Sequence, residues 1–385
     1  MSVFGIVCEF NPLHNGHEHL IREARRLGAE KIVCIMSGNS TQRGDLAITD
    51  KYSRAEAAVK CGADAVFELP FPWCSASADY FAMAAVSIAN ELCDTLLFGS
   101  ECGDIELLYR AAELCESQNF RDTYFSRMSL GEGAALSFVN ILEENGLTGF
   151  SSNDLLGVAY IRAIKRLNSH LKALTVRRTG AGYNCAEITA EKYQSATALR
   201  EKIFSGEGVA EYVPSAMNEI IERERSCGTL TETSELDSAV LAFFRLADAD
   251  DLDGACDAGG GIANRMIDAA KESASYEEMF QKIRTKRYTD AKLRRAILFC
   301  MTGTKETDVC SLPRYTTLLA INSKGRELIS SGKKTWKITV VTKPADAPDS
   351  HQKTLSLRLD GLYGLARKNK FSYDTFIKKT VYVEK

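Results

Sequence analysis

The sequence predicts an α/β fold: a parallel sheet covered by helices on both faces, with an added helical region and a small C-terminal part. Three observations lead there. Short, β-branched apolar runs alternate with helix-forming segments over the first hundred residues. The runs are apolar enough to read as strands buried in a sheet covered on both faces. Beyond Asp104 the pattern changes to the three-to-four spacing of amphipathic helices.

VFGIVC (Val3 to Cys8) is the first strand. Gly16 to Leu27 is helix-forming and closes on Gly28, a suitable C-cap. KIVCIM (Lys31 to Met36) gives strand two, and Ser53 to Gly62 a helix opening on a serine cap. ADAVFEL, the segment Ser77 to Leu92, and TLLFG (Thr95 to Gly99) follow as strand, helix and strand. LSFVNILEENG and NDLLGVAYIRAIKRLNS read as amphipathic helices, LKALTVRR (Leu171 to Arg178) as one more strand, and Thr179 to Asn184 as a loop with two glycines. From about Glu211 to Gly303 only helices are expected, broken at Gly259-Gly260-Gly261; after Pro313 a short helix, Asn322 to Ser330, precedes WKITVVTKPAD. The expected divisions are residues 1–210, a helical part 211–310 and a small α/β part 311–385. Ligands of such sheets bind beyond the carboxyl ends of the strands. Those ends are Glu9 to His17, Ser37 to Gly44, Glu68 to Trp73 and Gly99 to Asp104, rich in Gly, Ser, Asn and His.

Composition sets the class. At 385 residues, 45% hydrophobic and 26% charged, the chain is an ordinary globular protein of more than one domain. A net charge of -3 argues against a histone-like general nucleic-acid binder, though not against a local basic surface. The 12 cysteines contain no Cys-x-x-Cys pair, and Cys34 and Cys300 sit inside apolar runs, so reduced core thiols are expected rather than disulfides or zinc. The N-terminus has no basic region and long apolar stretch of a signal peptide, and no run suits a transmembrane helix. A cytoplasmic protein without a membrane partner is the expectation.

The chemistry concentrates in the loop after strand one, Phe10-Asn11-Pro12-Leu13-His14-Asn15-Gly16-His17. Pro12 fixes the chain as it leaves the strand, and Gly16 lets backbone approach a phosphate. A helix start offers N–H groups and a positive dipole end to an anion. Two histidines three apart at that start can donate to one phosphate, where adenylyl transfer builds up negative charge.

This loop resembles the His-x-Gly-His signature of the nucleotidyltransferase superfamily, related to the class I tRNA synthetases. Met36-Ser37-Gly38-Asn39, Gln42-Arg43-Gly44-Asp45, Glu68-Leu69-Pro70, Phe98-Gly99-Ser100-Glu101, Ser152-Asn153-Asp154-Leu155-Leu156-Gly157 and Arg177-Arg178-Thr179-Gly180-Ala181-Gly182-Tyr183 extend the likeness. Together they are similar to the bacterial tRNA(Met) cytidine acetate ligase family over nearly the whole chain. The resemblance implies an enzyme that uses ATP and acetate to form acetyl-adenylate, then acetylates N4 of the wobble cytidine in elongator tRNA(Met). It implies His14 and His17 as catalytic residues. It also implies ATP contacts from Val7, Cys8, Glu9, Phe10, Asn11, Pro12, Leu13, His14, Asn15, Gly16, His17, Glu18, His19 and Leu20, and from Gly99, Asn153, Arg177 and Arg178. Each of the last four suits a role: Gly99 bares backbone for the adenosine, Asn153 offers a donor and an acceptor, and the arginines present phosphate-binding forks. Asn153 is equally a natural N-cap, and an Arg pair seen alone is more often a solvated face. Mg2+ is expected with the triphosphate, with no protein ligand evident. No Lys-Met-Ser-Lys-Ser-like segment is found, a role Arg177 and Arg178 could fill. Asn184 stands where the family commonly has His.

For RNA, the segment Arg284 to Arg295 holds six basic residues, Arg284, Lys286, Arg287, Lys292, Arg294 and Arg295, around Tyr288. On a helix, Arg284, Arg287, Lys292 and Arg295 would share roughly one side and track a phosphate backbone; a solvated helix face explains the same run. Two other functions fit the loop: a small-molecule adenylyltransferase of the pantetheine-phosphate or nicotinamide-mononucleotide type, or a non-catalytic RNA-binding protein with a relict ATP site. The length beyond the nucleotide-binding part favours a large partner such as tRNA over the first. The intact histidine pair disfavours the second.

Overall fold

The structure, a computed structural model, describes residues 2–178, 195–332, 334–370 and 378–384. The N-terminal half alternates as expected: β1 (Val3–Cys8), α1 (Asn15–Arg26), β2 (Lys31–Ser37), α2 (Lys51–Lys60), β3 (Ala65–Leu69), α3 (Ala78–Leu92) and β4 (Thr95–Ser100). Helices α4 (Ile105–Glu116), α5 (Gln118–Ser129), α6 (Ala134–Glu144) and α7 (Ser152–Arg166) lead to β5 (Lys172–Arg177). Then come α8 (Ala196–Phe204), α9 (Ser215–Ser226), α10 (Asp237–Leu246), α11 (Ile262–Lys271), α12 (Tyr276–Ile283), α13 (Asp290–Thr302) and α14 (Glu306–Cys310). The chain closes with β6 (Tyr315–Ile321), α15 (Ser323–Gly332), β7 (Thr339–Val341), α16 (His351–Leu365) and β8 (Val381–Tyr382). Among the described residues no helix is long and apolar enough to cross a membrane.

The sheet runs β5-β4-β1-β2-β3-β6-β7, with β8 also on β6. Its first five strands are parallel, in register from Val3 opposite Lys31 to Cys8 opposite Met36, and from Thr95 opposite Lys172 to Ser100 opposite Arg177. Alternate residues serve opposite faces. Val33 and Ile35 enter one core with α3 and α7, while Ile32, Cys34 and Met36 enter another with α1 and α2. That double burial is why these strands read as unbroken apolar runs. Helices α10 to α13 pack their apolar faces into a third core.

Two expectations need correction. Helix α2 opens at Lys51, and its cap is Asp50, whose carboxylate accepts from Tyr52 N at 2.8 Å and Ser53 N at 3.2 Å. A carboxylate placed before the first turn also complements the helix dipole, and Ser53 falls inside the first turn. The segment YTTLLAI, passed over in the sequence, forms β6 and pairs antiparallel with β3, so the sheet is mixed beyond its parallel half. Its threonines are buried, and Thr316 Oγ1 donates to Glu68 O at 2.6 Å. The Thr316 hydroxyl is therefore satisfied within the sheet, where a β-branched residue packs well.

Candidate active site

The strand order reverses around β1: β2 and β3 extend to one side, β4 and β5 to the other. The crevice beyond the carboxyl ends of β1 and β4 is the switch point where ligands of such sheets bind. The loop from Glu9 to His14 rises there and turns into α1. Arg54 holds its base. This guanidinium is fully buried and donates to the carbonyls of Glu9 at 2.5 Å, Ser37 at 3.2 Å, Thr49 at 3.0 Å and Gly38. Asn11 Oδ1 accepts from Ile48 N at 2.8 Å, and the Asn11–Pro12 peptide is cis. Phe10, at φ +50, and Leu13 send their side chains into the core. From these two residues only backbone is left for a nucleotide. Cys8 likewise faces the sheet core. Val7, Glu9, Asn15, Gly16, Glu18, His19 and Leu20 are half-buried.

His14 and His17 cap the helix reciprocally. His14 Nδ1 accepts from Gly16 N at 3.1 Å, and His17 Nδ1 accepts from His14 N at 3.2 Å. The rings stack with centroids 3.6 Å apart, and Phe10 meets His17 edge-on at 5.1 Å. Burial first, then the charge of Arg178, brings the His14 pKa down to about 4. Burial, His14 and Arg178 hold His17 well below the usual imidazole range. Both rings are therefore neutral near pH 7. Because each Nδ1 is an acceptor, each ring carries its proton on Nε2. The expected free N–H groups at the helix start are already engaged: Asn15 N with Tyr212 O at 3.0 Å, Gly16 N with His14 Nδ1, and His17 N with His14 O at 2.8 Å. The reciprocal cap has consumed the donors a bare helix end would offer. The donors left for an anion are the two imidazole Nε2–H groups.

Across the crevice, Glu101 gathers the second set. It accepts from Asn153 Nδ2 at 2.5 Å and from Ser151 Oγ, and pairs with Arg178 Nε at 3.4 Å. The cap of α7 is Ser151, completed by Asp154, so Asn153 is not the cap its position suggests. Its amide is held by Glu101. Gly99 lies under Arg178, where an added Cβ would sit 2.9 Å from Arg178 Cγ. Gly103, at φ +64, lies under Arg177. The structure thus assembles His14, His17, Gly99, Asn153 and Arg178 on one crevice, with Arg177 on its outer margin over Gly103. Glu101 closes the stretch Phe98-Gly99-Ser100-Glu101, and no role for it follows from the sequence. The signal was an acid following the carboxyl end of a parallel strand. The loop Thr179 to Asn184 lies outside the described residues.

The basic run is not one helix: α12 ends at Ile283 and α13 begins at Asp290. Arg295 is buried and paired with Asp257 at 2.6 Å, with Lys292 on the same carboxylate at 3.6 Å. Arg284 pairs with Asp290 at 3.0 Å, and Arg294 with Asp45 at 3.4 Å. Lys286 and Arg287 are exposed, and Arg287 and Lys292 each lie 5.5 Å from the Tyr288 ring.

Comparison with known proteins shows the family to which the chain belongs. The profile of the family HIGH Nucleotidyl Transferase matches residues 1–375. The chain is 34% identical over 353 residues to the tRNA(Met) cytidine acetate ligase of Caldicellulosiruptor bescii, covering 89% of this chain and 87% of that protein. It is 32% identical over 387 residues to the protein of that name from Acetivibrio thermocellus, covering 94% and 92%. Among solved structures, Thermotoga maritima TmcAL bound with alpha-thio ATP superposes over 100% of both chains with a TM-score of 0.89 at 26% identity. The apo form gives 0.90 at 27%. The chain therefore belongs to the HIGH nucleotidyltransferase family, close to the tRNA(Met) cytidine acetate ligases.

Proposed function

We propose that this protein activates acetate with ATP and transfers the acetyl group to N4 of the wobble cytidine of elongator tRNA(Met). In the first step an acetate oxygen attacks the α-phosphorus, the bond to the β-phosphate breaks, and acetyl-adenylate and pyrophosphate form. In the second, cytidine N4 attacks the acetyl carbon, the bond to the adenylate breaks, N4 loses a proton and AMP leaves. The observation that carries the reading is the neutral His14–His17 pair, two Nε2–H donors fixed by their own backbone at the switch point. Such donors stabilise charge developing on the α-phosphate and on departing pyrophosphate with little reorganisation. Arg178 adds a positive charge beside them, and Gly99 and Asn153 suit the adenosine end. Binding there requires Asn153 or Arg178 to exchange contacts with Glu101 for contacts with the nucleotide. Magnesium would arrive chelated by the triphosphate; among the described residues no cluster of three His, Cys, Asp or Glu side chains is placed to hold a metal ion.

Names of relatives support the acetate and tRNA assignments, and the test treats them separately. Acetate-dependent ATP–pyrophosphate exchange should occur without RNA, and mass spectrometry of tRNA nucleosides should reveal N4-acetylcytidine when protein, ATP and acetate are combined. Exchange driven by a different acceptor, with no change in tRNA, would identify a small-molecule adenylyltransferase. No exchange with any acceptor would point to a binding protein.

A further inference from the structure

The loop Ser40–Leu46, which follows β2, ties the active-site loop to the helical region. Gln42 N donates to Glu9 Oε1 at 2.6 Å on one side. On the other, Gly44, at φ +84, lies against the backbone of α13, so that an added Cβ would come within 2.5 Å of Arg295 N. Asp45 beside it meets Arg294 at 3.4 Å. The turn is closed by Thr41 N to Asp45 O at 2.9 Å and Gly44 N to Thr41 O at 2.9 Å. Its apex residue, Arg43, is exposed and makes no ion pair among the described residues. Arg200 of α8 approaches the same place, donating to Asn11 O at 2.9 Å and Thr197 Oγ1 at 3.2 Å, again without an ion pair among the described residues.

Three guanidinium groups therefore converge on the β2 side of the active-site loop, each within a residue of a contact to Glu9, Asn11 or Asp45. They are close enough to act on one another: burial weighs most against the charge on Arg200, Asp45 and Glu9 favour that charge, and Arg43 and Arg294 oppose it. Two carboxylates do not neutralise three guanidiniums with the buried Arg54 behind them. The excess of positive charge gives this side of the loop a surface suited to an anion. Arg178, with the two histidines, already serves the α-phosphate from the β4 side. Arg294 belongs to the same basic run as the exposed Lys286 and Arg287.

We propose that Arg43, Arg200 and Arg294 form the surface on which the RNA backbone beside the reacting cytidine lies, with Lys286 and Arg287 extending it. The inference rests on the function proposed above and names where that partner docks. The rigid turn carrying Arg43 is the joint between the chemistry and the helical region.

The test uses the full chain with Arg43→Ala and Arg43→Lys, since Arg43 holds no other described group in place. Arg43→Ala should leave acetate-dependent ATP–pyrophosphate exchange within twofold of the wild type. It should weaken tRNA binding about tenfold, as loss of a charged hydrogen bond does, and lower the log–log salt slope of binding by about 0.7–0.9. Arg43→Lys should keep the slope. Unchanged tRNA affinity and slope in Arg43→Ala would overturn the proposal. So would a fall in exchange matching the fall in acetylation, which would give these arginines to the triphosphate. If the wild-type protein acetylated no tRNA, the functional reading would fail on its own, while tRNA binding by Arg43→Ala would still decide this surface.

Discussion

Replacing His17 by glutamine separates its two duties. As the third residue of α1 it closes the cap, its Nδ1 accepting the His14 N–H at 3.2 Å. Glutamine is an ordinary residue at that position of a reciprocal cap, and its carbonyl can accept the same N–H. The stack on His14 at 3.6 Å is lost, a penalty of about 0.5–1.5 kcal/mol. Loss of the cap as well, in His17→Ala, adds about 1 kcal/mol. Neither penalty falls on the reaction. The reaction loses the Nε2–H donor, and removing one such donor costs about 2.7–4 kcal/mol of transition-state stabilisation, a factor of about 100 to 1000 in rate. His17→Gln should therefore unfold within a few degrees of wild type, bind ATP within a few-fold by calorimetry, and exchange pyrophosphate about 100 to 1000 times more slowly. A glutamine variant exchanging within about threefold of wild type, under roughly 1 kcal/mol, would leave His17 as a cap and refute the donor argument. A loss of ATP affinity equal to the loss of rate would make it a ground-state contact.

Stability should fall on acidification from pH 6.5 toward pH 4. The His14 pKa is depressed to about 4 in the fold, so the unfolded chain binds the proton first and stability is lost by about 1.4 kcal/mol per pH unit in that window. Denaturant titrations at pH 7 and pH 5 should show this slope shrinking in a His14→Gln variant; an unchanged slope would refute it. Arg178→Ala should weaken ATP binding and leave Asn153 with Glu101, whereas unaltered affinity by calorimetry would assign Arg178 to holding Glu101 alone. Arg295→Ala leaves Asp257 only the longer contact to Lys292 at 3.6 Å and should destabilise the fold by about 1–3 kcal/mol. Arg287→Ala, on the exposed part of the same run, should stay within about 0.5 kcal/mol; equal losses in the two variants would refute the division.

Much of the nucleotide-binding half was legible because its physics is local. Strands β1 to β4 are buried on both faces and so read as unbroken apolar runs, and Gly28 marks the end of α1 with φ +96. The placement of His14 and His17 beside a helix start followed from one loop. What the loop could not disclose was the rotation of the two rings. Once each Nδ1 turns to a backbone N–H, the helix end no longer offers free donors, and only coordinates reveal that choice. Glu101 escaped notice because its partners, Ser151, Asn153 and Arg178, come from distant segments that meet only when β4, β5 and α7 pack together. Arg295 looked like its neighbours in composition. Its burial is dictated by Asp257, a residue on a separate turn. The strand YTTLLAI was hidden by two threonines that look polar, though the hydroxyl of Thr316 is satisfied by a sheet partner far earlier in the chain.

That partner sets an order of events during synthesis. Ala65 of β3 lies opposite Ile321 of β6, so the inner edge of β3 waits for a strand that the ribosome has not yet made. At about 5–20 residues per second the delay is on the order of 10–50 s. Through that interval β1, β2, β4 and β5 can assemble, yet β3 presents a row of open N–H and C=O groups on an apolar ribbon, the kind of edge that recruits strands from other chains. Nascent polypeptides should therefore be most prone to clump just before β6 emerges. Expression at lower temperature or with added chaperone should raise the soluble yield of this protein more than it raises that of a protein whose sheet closes with neighbouring strands.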